Sequence, residues 1–252
     1  MRFRQVGKVA IGLGVFGACV AGGPVTAVQT ASASPVPLRG VIEGFYGTPW
    51  QQEERLDILA FCLAEGFNAY LYAPKDDPYH REKWREPYPE DKLRELGALV
   101  KAAKAQDVRF IFAVSPGLDV SLHGYKGYAD RQKMLAKFET LYALGVRDFA
   151  IFFDDIKDKD GAGQAAFLSD VSRELRRRHA DIGAFLTVPT EYFYADMQEG
   201  GARKPYTDAF TEGLSHDVLV LYTGDGVAKG PLTDEALAKA DALYGRALGL
   251  WW

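Results

Sequence analysis

The chain is 252 residues long, 48% apolar and 25% charged, with a net charge of −4. Such a length can bury one substantial core, and the apolar content lies well above that of a disordered chain. The acidic balance argues against a protein built to neutralise nucleic-acid phosphates, the more so because loss of Arg2, Arg4 and Lys8 with a leader would take the net charge from −4 to −7.

Those three cations precede an apolar stretch from Val9 to about Gly23, followed by Ala31, Ser32, Ala33 and Ser34. This is the layout of a secretory signal peptide over 1–33, predicted to be cleaved after Ala33 with Ala27 as second choice, and it leaves 34–37 as a short linker. The run is glycine-rich and shorter than the ~20 apolar residues of a membrane span, so no stable membrane anchor is expected. Cys19 follows Phe16, Gly17 and Ala18, a poor match to a lipid-attachment cysteine. The mature protein is therefore expected to be secreted and extracellular. It would keep Cys62 alone, which excludes an intrachain disulfide and a cysteine zinc cluster. His80, His123, His179 and His216 lack metal-ligand spacing and read as solvated surface residues.

From Leu38 onward, short runs rich in β-branched and aromatic residues alternate with longer charged stretches of helical period, the pattern of βαβ units on a parallel sheet. Strands are predicted at about 39–45, 69–73, 109–115, 148–154, 184–189, 217–223 and 247–252. Helices are predicted at about 50–65, 90–105, 128–144, 162–178 and 233–245, and the long fifth connection, about 191–216, is read as carrying only a short helix. Seven strands can be placed where a closed barrel needs eight. The expectation is thus a single α/β domain over 38–252, a TIM (β/α)8-type barrel whose last βα unit lies outside this sequence. A doubly wound open sheet is the alternative, although no G-x-G-x-x-G follows strand one to support a nucleotide-binding version.

In such a barrel the active site lies at the C-terminal strand ends, so polar residues that terminate apolar runs are the candidates. Strand one ends in Glu43-Gly44-Phe45-Tyr46-Gly47, strand two runs into Lys75-Asp76-Asp77 and strand three into Ser115-Pro116-Gly117-Leu118-Asp119. Strand four ends in Asp154-Asp155, strand five in Pro189-Thr190-Glu191-Tyr192 and strand six in Tyr222-Thr223-Gly224. Adjacent carboxylates after Ile151-Phe152-Phe153 face desolvation and mutual repulsion, which suits an acid beside an anion. The competing reading is a helix cap at Asp155 with Asp154 solvated. A calcium loop around Asp158-Lys159-Asp160-Gly161 fails, because placing Gly161 at loop position six puts Ile156 and Phe167 at liganding positions. Ordinary glycosidases set carboxylates across the scissile bond, roughly 5–9.5 Å apart, which two neighbours on one strand end fit poorly. Such neighbours suit instead the substrate-assisted variant, in which the sugar's 2-acetamido oxygen is the nucleophile.

Five segments then resemble glycoside hydrolase family 84, which holds the β-N-acetylglucosaminidases, O-GlcNAcase among them. They are Arg39-Gly40-Val41-Ile42-Glu43-Gly44-Phe45-Tyr46-Gly47-Thr48-Pro49-Trp50, Tyr70-Leu71-Tyr72-Ala73-Pro74-Lys75-Asp76-Asp77, Ser115-Pro116-Gly117-Leu118-Asp119, Phe153-Asp154-Asp155-Ile156 and Pro189-Thr190-Glu191-Tyr192. The resemblance spans about 38–252 and implies that Asp154 orients the acetamido N–H while Asp155 serves as acid and then base. It also implies that Tyr192 bonds the acetamido oxygen, that the Gly44 backbone and Lys75 contact sugar hydroxyls, and that Trp251 lines the acetamido pocket. Neither metal nor organic cofactor is implied. The implied partners are glycans or glycoproteins ending in β-linked N-acetylglucosamine. Relatives carry an asparagine and an aspartate just beyond the tryptophan matched by Trp251, and a further asparagine on the last strand, none of which falls within this sequence. Besides a retaining exo-β-N-acetylglucosaminidase, the sequence therefore leaves open a non-catalytic fragment or glycan-binding remnant, and an endo-acting hyaluronan hexosaminidase.

Overall fold

The computed structural model describes residues 38–230 and 232–252. The leader and linker expected over 1–37 lie outside the described residues.

The predicted apolar runs form one parallel sheet. Its strands are β1 (Gly40–Glu43), β2 (Ala69–Tyr72), β3 (Arg109–Val114), β4 (Asp148–Phe152), β5 (Phe185–Val188), β8 (Val218–Tyr222) and β9 (Gly249–Leu250), with β6 (Gln198–Glu199) and β7 (Ala202–Arg203) forming a separate antiparallel ribbon. Between them run α1 (Gln52–Ala64), α2 (Glu90–Ala105), α3 (Gly124–Ala143), α4 (Gly161–Arg178), α5 (Tyr194–Met197), α6 (Pro205–Gly213) and α7 (Asp234–Tyr244).

Strand order is sequential, β1-β2-β3-β4-β5-β8-β9. A doubly wound sheet reverses its order at a switch point, and no reversal occurs here, which removes that alternative. Pairing registers run evenly, for example Gly40 with Ala69 and Ala69 with Arg109.

Alternation along the strands separates two cores. Outward residues such as Tyr70, Phe112, Ile151 and Val220 pack with helix residues Leu59, Leu99, Phe138 and Phe167. The inner cluster draws on the strands and their ends alone: Ala69, Leu71, Ala73, Ile111, Ala113, Ala150, Phe152, Leu186, Val188 and Leu221, with Ile42 and Trp251 packed against it. With the helix residues packed in the outer cluster and one inner apolar core joining β1 to the segment after β9, the sheet curls on itself. Trp251 seals that curl, because the backbone of Gly44 approaches its ring so closely that a Cβ on Gly44 would sit 2.4 Å from Cζ2.

The fifth connection departs from expectation. Rather than one short helix it holds α5, the β6–β7 ribbon and the nine-residue α6, opened by Pro205 in its first turn. Small residues let α6 sit tightly on α4: a Cβ on Gly161 would meet the Tyr206 carbonyl at 2.3 Å, and one on Gly213 would meet Ala165 at 3.1 Å. Helix α3 begins at Gly124, four residues before the predicted start, and β9 is two residues long rather than six.

Candidate active site

Five of the six sequence-predicted site residues line one cavity at the C-terminal strand ends, and the sixth, Lys75, contacts Asp154 from behind it. A cavity of about 240 Å³ is lined there by Gly44, Tyr46, Asp154, Asp155, Tyr192 and Trp251, closed by Val188 and the loop after β8.

The two neighbouring carboxylates face different surroundings. Asp154 is buried and accepts from Lys75 Nζ on both oxygens, at 2.8 and 2.7 Å. Asp155 has φ +58°, in the left-handed region that few non-glycine residues adopt, and this turn carries its carboxylate away from that of Asp154. It accepts from Tyr46 Oη at 2.8 Å and from Tyr192 Oη at 2.9 Å. Helix capping by Asp155 is ruled out, since Asp160 caps α4 by accepting from the Gly163 amide. Burial and the bond to Asp155 push the Tyr46 hydroxyl up to about 12 and raise that of Tyr192, so both are proton donors at neutral pH.

Lys75 is held from behind. Its Nζ lies 3.5 Å from Ser115 Oγ, which is 3.0 Å from His80 Nε2, while His80 Nδ1 is 2.7 Å from the Ala113 carbonyl. A carbonyl can only accept, so Nδ1 carries the ring proton and Nε2 accepts from Ser115. The serine oxygen then presents its lone pairs to the Lys75 ammonium. His80 is fully buried, contrary to the expectation of a solvated surface residue, and burial with nearby Lys75 lowers its pKa to about 3. His123 remains mostly exposed, and His179 stacks on Tyr142 beside Glu139.

Other strand-end polar residues pin loops. Glu43 is buried and takes both Nε and a terminal nitrogen of Arg55, together with the Tyr70 hydroxyl. Asp77 accepts from Tyr72 and Tyr88 at 2.6 and 2.7 Å. Asp76 accepts from the Gly47 amide and Asp119 from Trp84 Nε1. Glu191 is buried between Lys159 and Thr207. Thr190 Oγ1 lies 3.1 Å from the carbonyl of Phe153, so the end of β5 braces the residue before Asp154. Tyr192 is fixed through its backbone, whose carbonyl accepts from Thr223, and Trp251 through its amide bond to the Tyr222 carbonyl. Among the described residues no group of three or more His, Cys, Asp or Glu is placed to hold a metal. No described helix is long and apolar enough to cross a membrane.

Tyr46 was visible in the sequence as part of the strand-one end but not singled out. Its place becomes apparent only when the curl of the sheet brings the ends of β1 and β4 together, because 109 residues separate it from Asp155.

A family model described as beta-N-acetylglucosaminidase matches residues 39–252. The chain is 31% identical over 236 residues to Protein O-GlcNAcase of Mus musculus, covering 91% of this chain and 25% of that protein. It is 32% identical to Protein O-GlcNAcase of Rattus norvegicus, with 85% and 24% covered. The chain thus spans about a quarter of the length of these curated relatives. Among solved structures, that of CpGH84B superposes with a TM-score of 0.82 at 44% identity, over 86% of this chain and 38% of that one. A mutant O-GlcNAc hydrolase of Thermobaculum terrenum gives 0.76 at 31% identity, over 85% and 47%.

Proposed function

The chain belongs to the β-N-acetylglucosaminidase family, glycoside hydrolase family 84, and on that premise we propose that it is the catalytic part of a retaining exo-β-N-acetylglucosaminidase that works through an oxazoline. The observation that carries this reading is the division of labour within one carboxylate pair. Asp154 is buried against a fixed cation, and Asp155 is turned outward between two tyrosine hydroxyls in the same small cavity.

In this reading Asp154, held as an anion by Lys75, accepts a hydrogen bond from the acetamido N–H and offsets the positive charge that develops as the amide oxygen attacks the anomeric carbon. The glycosidic C–O bond breaks as Asp155 gives its proton to the leaving oxygen. Asp155 then removes a proton from the water that opens the oxazoline, so two inversions leave the configuration retained. The Tyr192 hydroxyl has one proton, directed at Asp155, and turns to the acetamido oxygen when substrate enters. Lys75 directs two of its three N–H groups to Asp154 and the third, over a long 3.5 Å, to Ser115, and in this reading that third N–H turns from Ser115 to a sugar hydroxyl when substrate binds. The Gly44 backbone lines the same cavity, and Trp251 forms its apolar wall for the acetamido methyl.

The substrates proposed are glycans or glycoproteins ending in β-linked N-acetylglucosamine. The seven sequential strands are assigned to a (β/α)8-type barrel occupying 38–252, a reading that the curled sheet and the superposition on CpGH84B support. Residues 1–33 are proposed as an export signal, on the strength of Arg2, Arg4 and Lys8 ahead of an apolar run, which makes the mature protein secreted.

The test is the anomer first released from an aryl β-N-acetylglucosaminide, followed by proton NMR. The β-anomer must appear first and mutarotate later; initial release of the α-anomer would overturn the mechanism.

A further inference from the structure

Lys137, on α3, is buried, and the catalytic reading does not use it. Arg55, Lys75 and Arg85 each pair with a buried carboxylate, whereas among the described residues no carboxylate lies within ion-pair distance of Lys137. Its Nζ donates to the Tyr79 carbonyl at 2.6 Å and sits 4.7 Å from the centroid of the Tyr88 ring. The carbonyl suits a neutral amine as well as an ammonium. Burial brings the group down to about 8, against the pull of Asp77 and Glu86. About a tenth of it is therefore neutral and nucleophilic at pH 7, where an ordinary lysine has less than about a thousandth.

The same lysine lines a cavity of about 210 Å³, walled by Tyr88 and Leu141 of the outer cluster and by Leu93 packed against it. The cavity thus lies on the helix side of the sheet, and it shares no residue with the catalytic cavity. Arg85, Glu86 and Lys133 also line it. Arg85 is committed to Asp119 and Asp130. Lys133 stands one turn before Lys137 on the same face of α3, and both Lys133 and Glu86 are exposed. Among the described residues neither of these two side chains has a hydrogen-bond or ion-pair partner. One small cavity therefore brings together a buried amine, an uncommitted carboxylate and an uncommitted cation.

We propose that Lys137 is the nucleophile of a second small-molecule site, which holds a 2-oxo acid as a protonated imine with the acid's carboxylate on Lys133. Glu86 takes the ammonium proton, and the amine lone pair adds to the keto carbon as the C=O pair moves to oxygen. A proton passes from nitrogen to that oxygen, giving a carbinolamine. Nitrogen then expels the oxygen as water, which takes up the proton held by Glu86. One ammonium and one ketone thus give one protonated imine and one water, with charge unchanged. The remaining N–H still donates to the Tyr79 carbonyl, and Asp77 and Glu86 still face a cation. Size and charge both restrict the ligand. The cavity is smaller than the roughly 300–1,000 Å³ of drug-sized pockets, so it admits few heavy atoms, and Lys133 calls for an anionic end beside the carbonyl.

The full chain is incubated with pyruvate and sodium cyanoborohydride, which reduces the imine to a stable secondary amine, and labelling is mapped by peptide mass spectrometry. Lys137 is expected to be labelled at least about tenfold faster than the exposed Lys101 and Lys104, through its larger neutral fraction. Acetone supplies the matching ketone without a carboxylate. With acetone the excess at Lys137 over those same lysines is expected to be about tenfold smaller than with pyruvate, the size of one charge-assisted contact. Lys133→Ala should bring the pyruvate excess down to the acetone level, and Glu86→Gln should slow labelling at Lys137 alone. Labelling of Lys137 no faster than that of the exposed lysines would overturn the proposal. So would an excess no larger with pyruvate than with acetone, or one that Lys133→Ala leaves whole. The first two comparisons are made on the wild type, so they decide the matter even where a variant folds poorly, and glycosidase activity does not enter them.

Discussion

Replacing Lys75 by methionine keeps the side chain out to Cε and removes the cation that, among the described residues, pairs with Asp154. The carboxylate is 7% exposed and the lysine side chain 1%, and their contacts are 2.7 and 2.8 Å. Removing one partner of such a pair leaves an uncompensated charge in the interior, at a cost of about 3–5 kcal/mol. In a domain of this size each kcal/mol lowers Tm by about 2–4 °C, so a fall of about 6–20 °C is expected. Asp154→Asn in the same background removes the orphaned charge, and the double variant should regain about 2 kcal/mol or more relative to the sum of the two single changes. None of the three variants should hydrolyse an aryl N-acetylglucosaminide at a useful rate, since the proposed mechanism uses the Lys75–Asp154 pair intact. Urea unfolding of the four proteins, analysed as a double-mutant cycle, checks this. A Lys75→Met variant within about 1 kcal/mol of the wild type, or strict additivity in the double variant, would refute the claim that the pair is a tightly coupled buried unit.

Asp155→Asn keeps the shape of the side chain but leaves one oxygen to accept where Tyr46 and Tyr192 now bond two, and it cannot give up a proton, so steady-state turnover of glycosides with poor leaving groups should fall about 10²–10⁴-fold, and much less with an activated aryl leaving group. His80 is lowered to about 3 when folded, below its ordinary value of about 6.5, so the unfolded chain binds the extra proton between those limits. Its share of stability is therefore complete above about pH 6.5 and declines as pH falls towards 3, by up to about 1.4 kcal/mol per pH unit; urea unfolding across that range should show a shallower acid loss in His80→Gln. Gly44→Ala would push a methyl into the Trp251 ring at 2.4 Å, costing about 1–3 kcal/mol and shifting tryptophan fluorescence, with KM for the aryl glycoside raised as the acetamido wall moves.

The strand positions were legible because buried parallel strands are continuous apolar runs, and IFF after Ala150 or LVLY after Val218 admits little else. Lys75, Asp154, Asp155 and Tyr192 were legible as polar residues ending such runs. Asp76, Asp77, Asp119 and Glu191 obey the same rule yet pin loops, because a strand-end position sets where a side chain starts and not which way it turns. His80 was misread since its two partners, the Ala113 carbonyl and Ser115, come from a strand 33–35 residues away. The early start of α3 was hidden by Gly124 and Gly127 in its first turn, which weaken helix propensity, and α6 by a loop-like run of Gly200, Gly201 and Pro205. That both tyrosines meet on Asp155 depends on the curl of the sheet, which no local pattern encodes.

The most direct measurement compares kcat/KM for matched aryl β-glycosides of N-acetylglucosamine and glucose. With the acetamido oxygen as nucleophile and Asp154 placed to steer it, hydrolysis of the N-acetylated sugar is expected to exceed that of the glucoside by at least about 10³, the scale of a positioned intramolecular group. Comparable rates for the two sugars would mean that a protein group or water attacks instead, and would contradict the account.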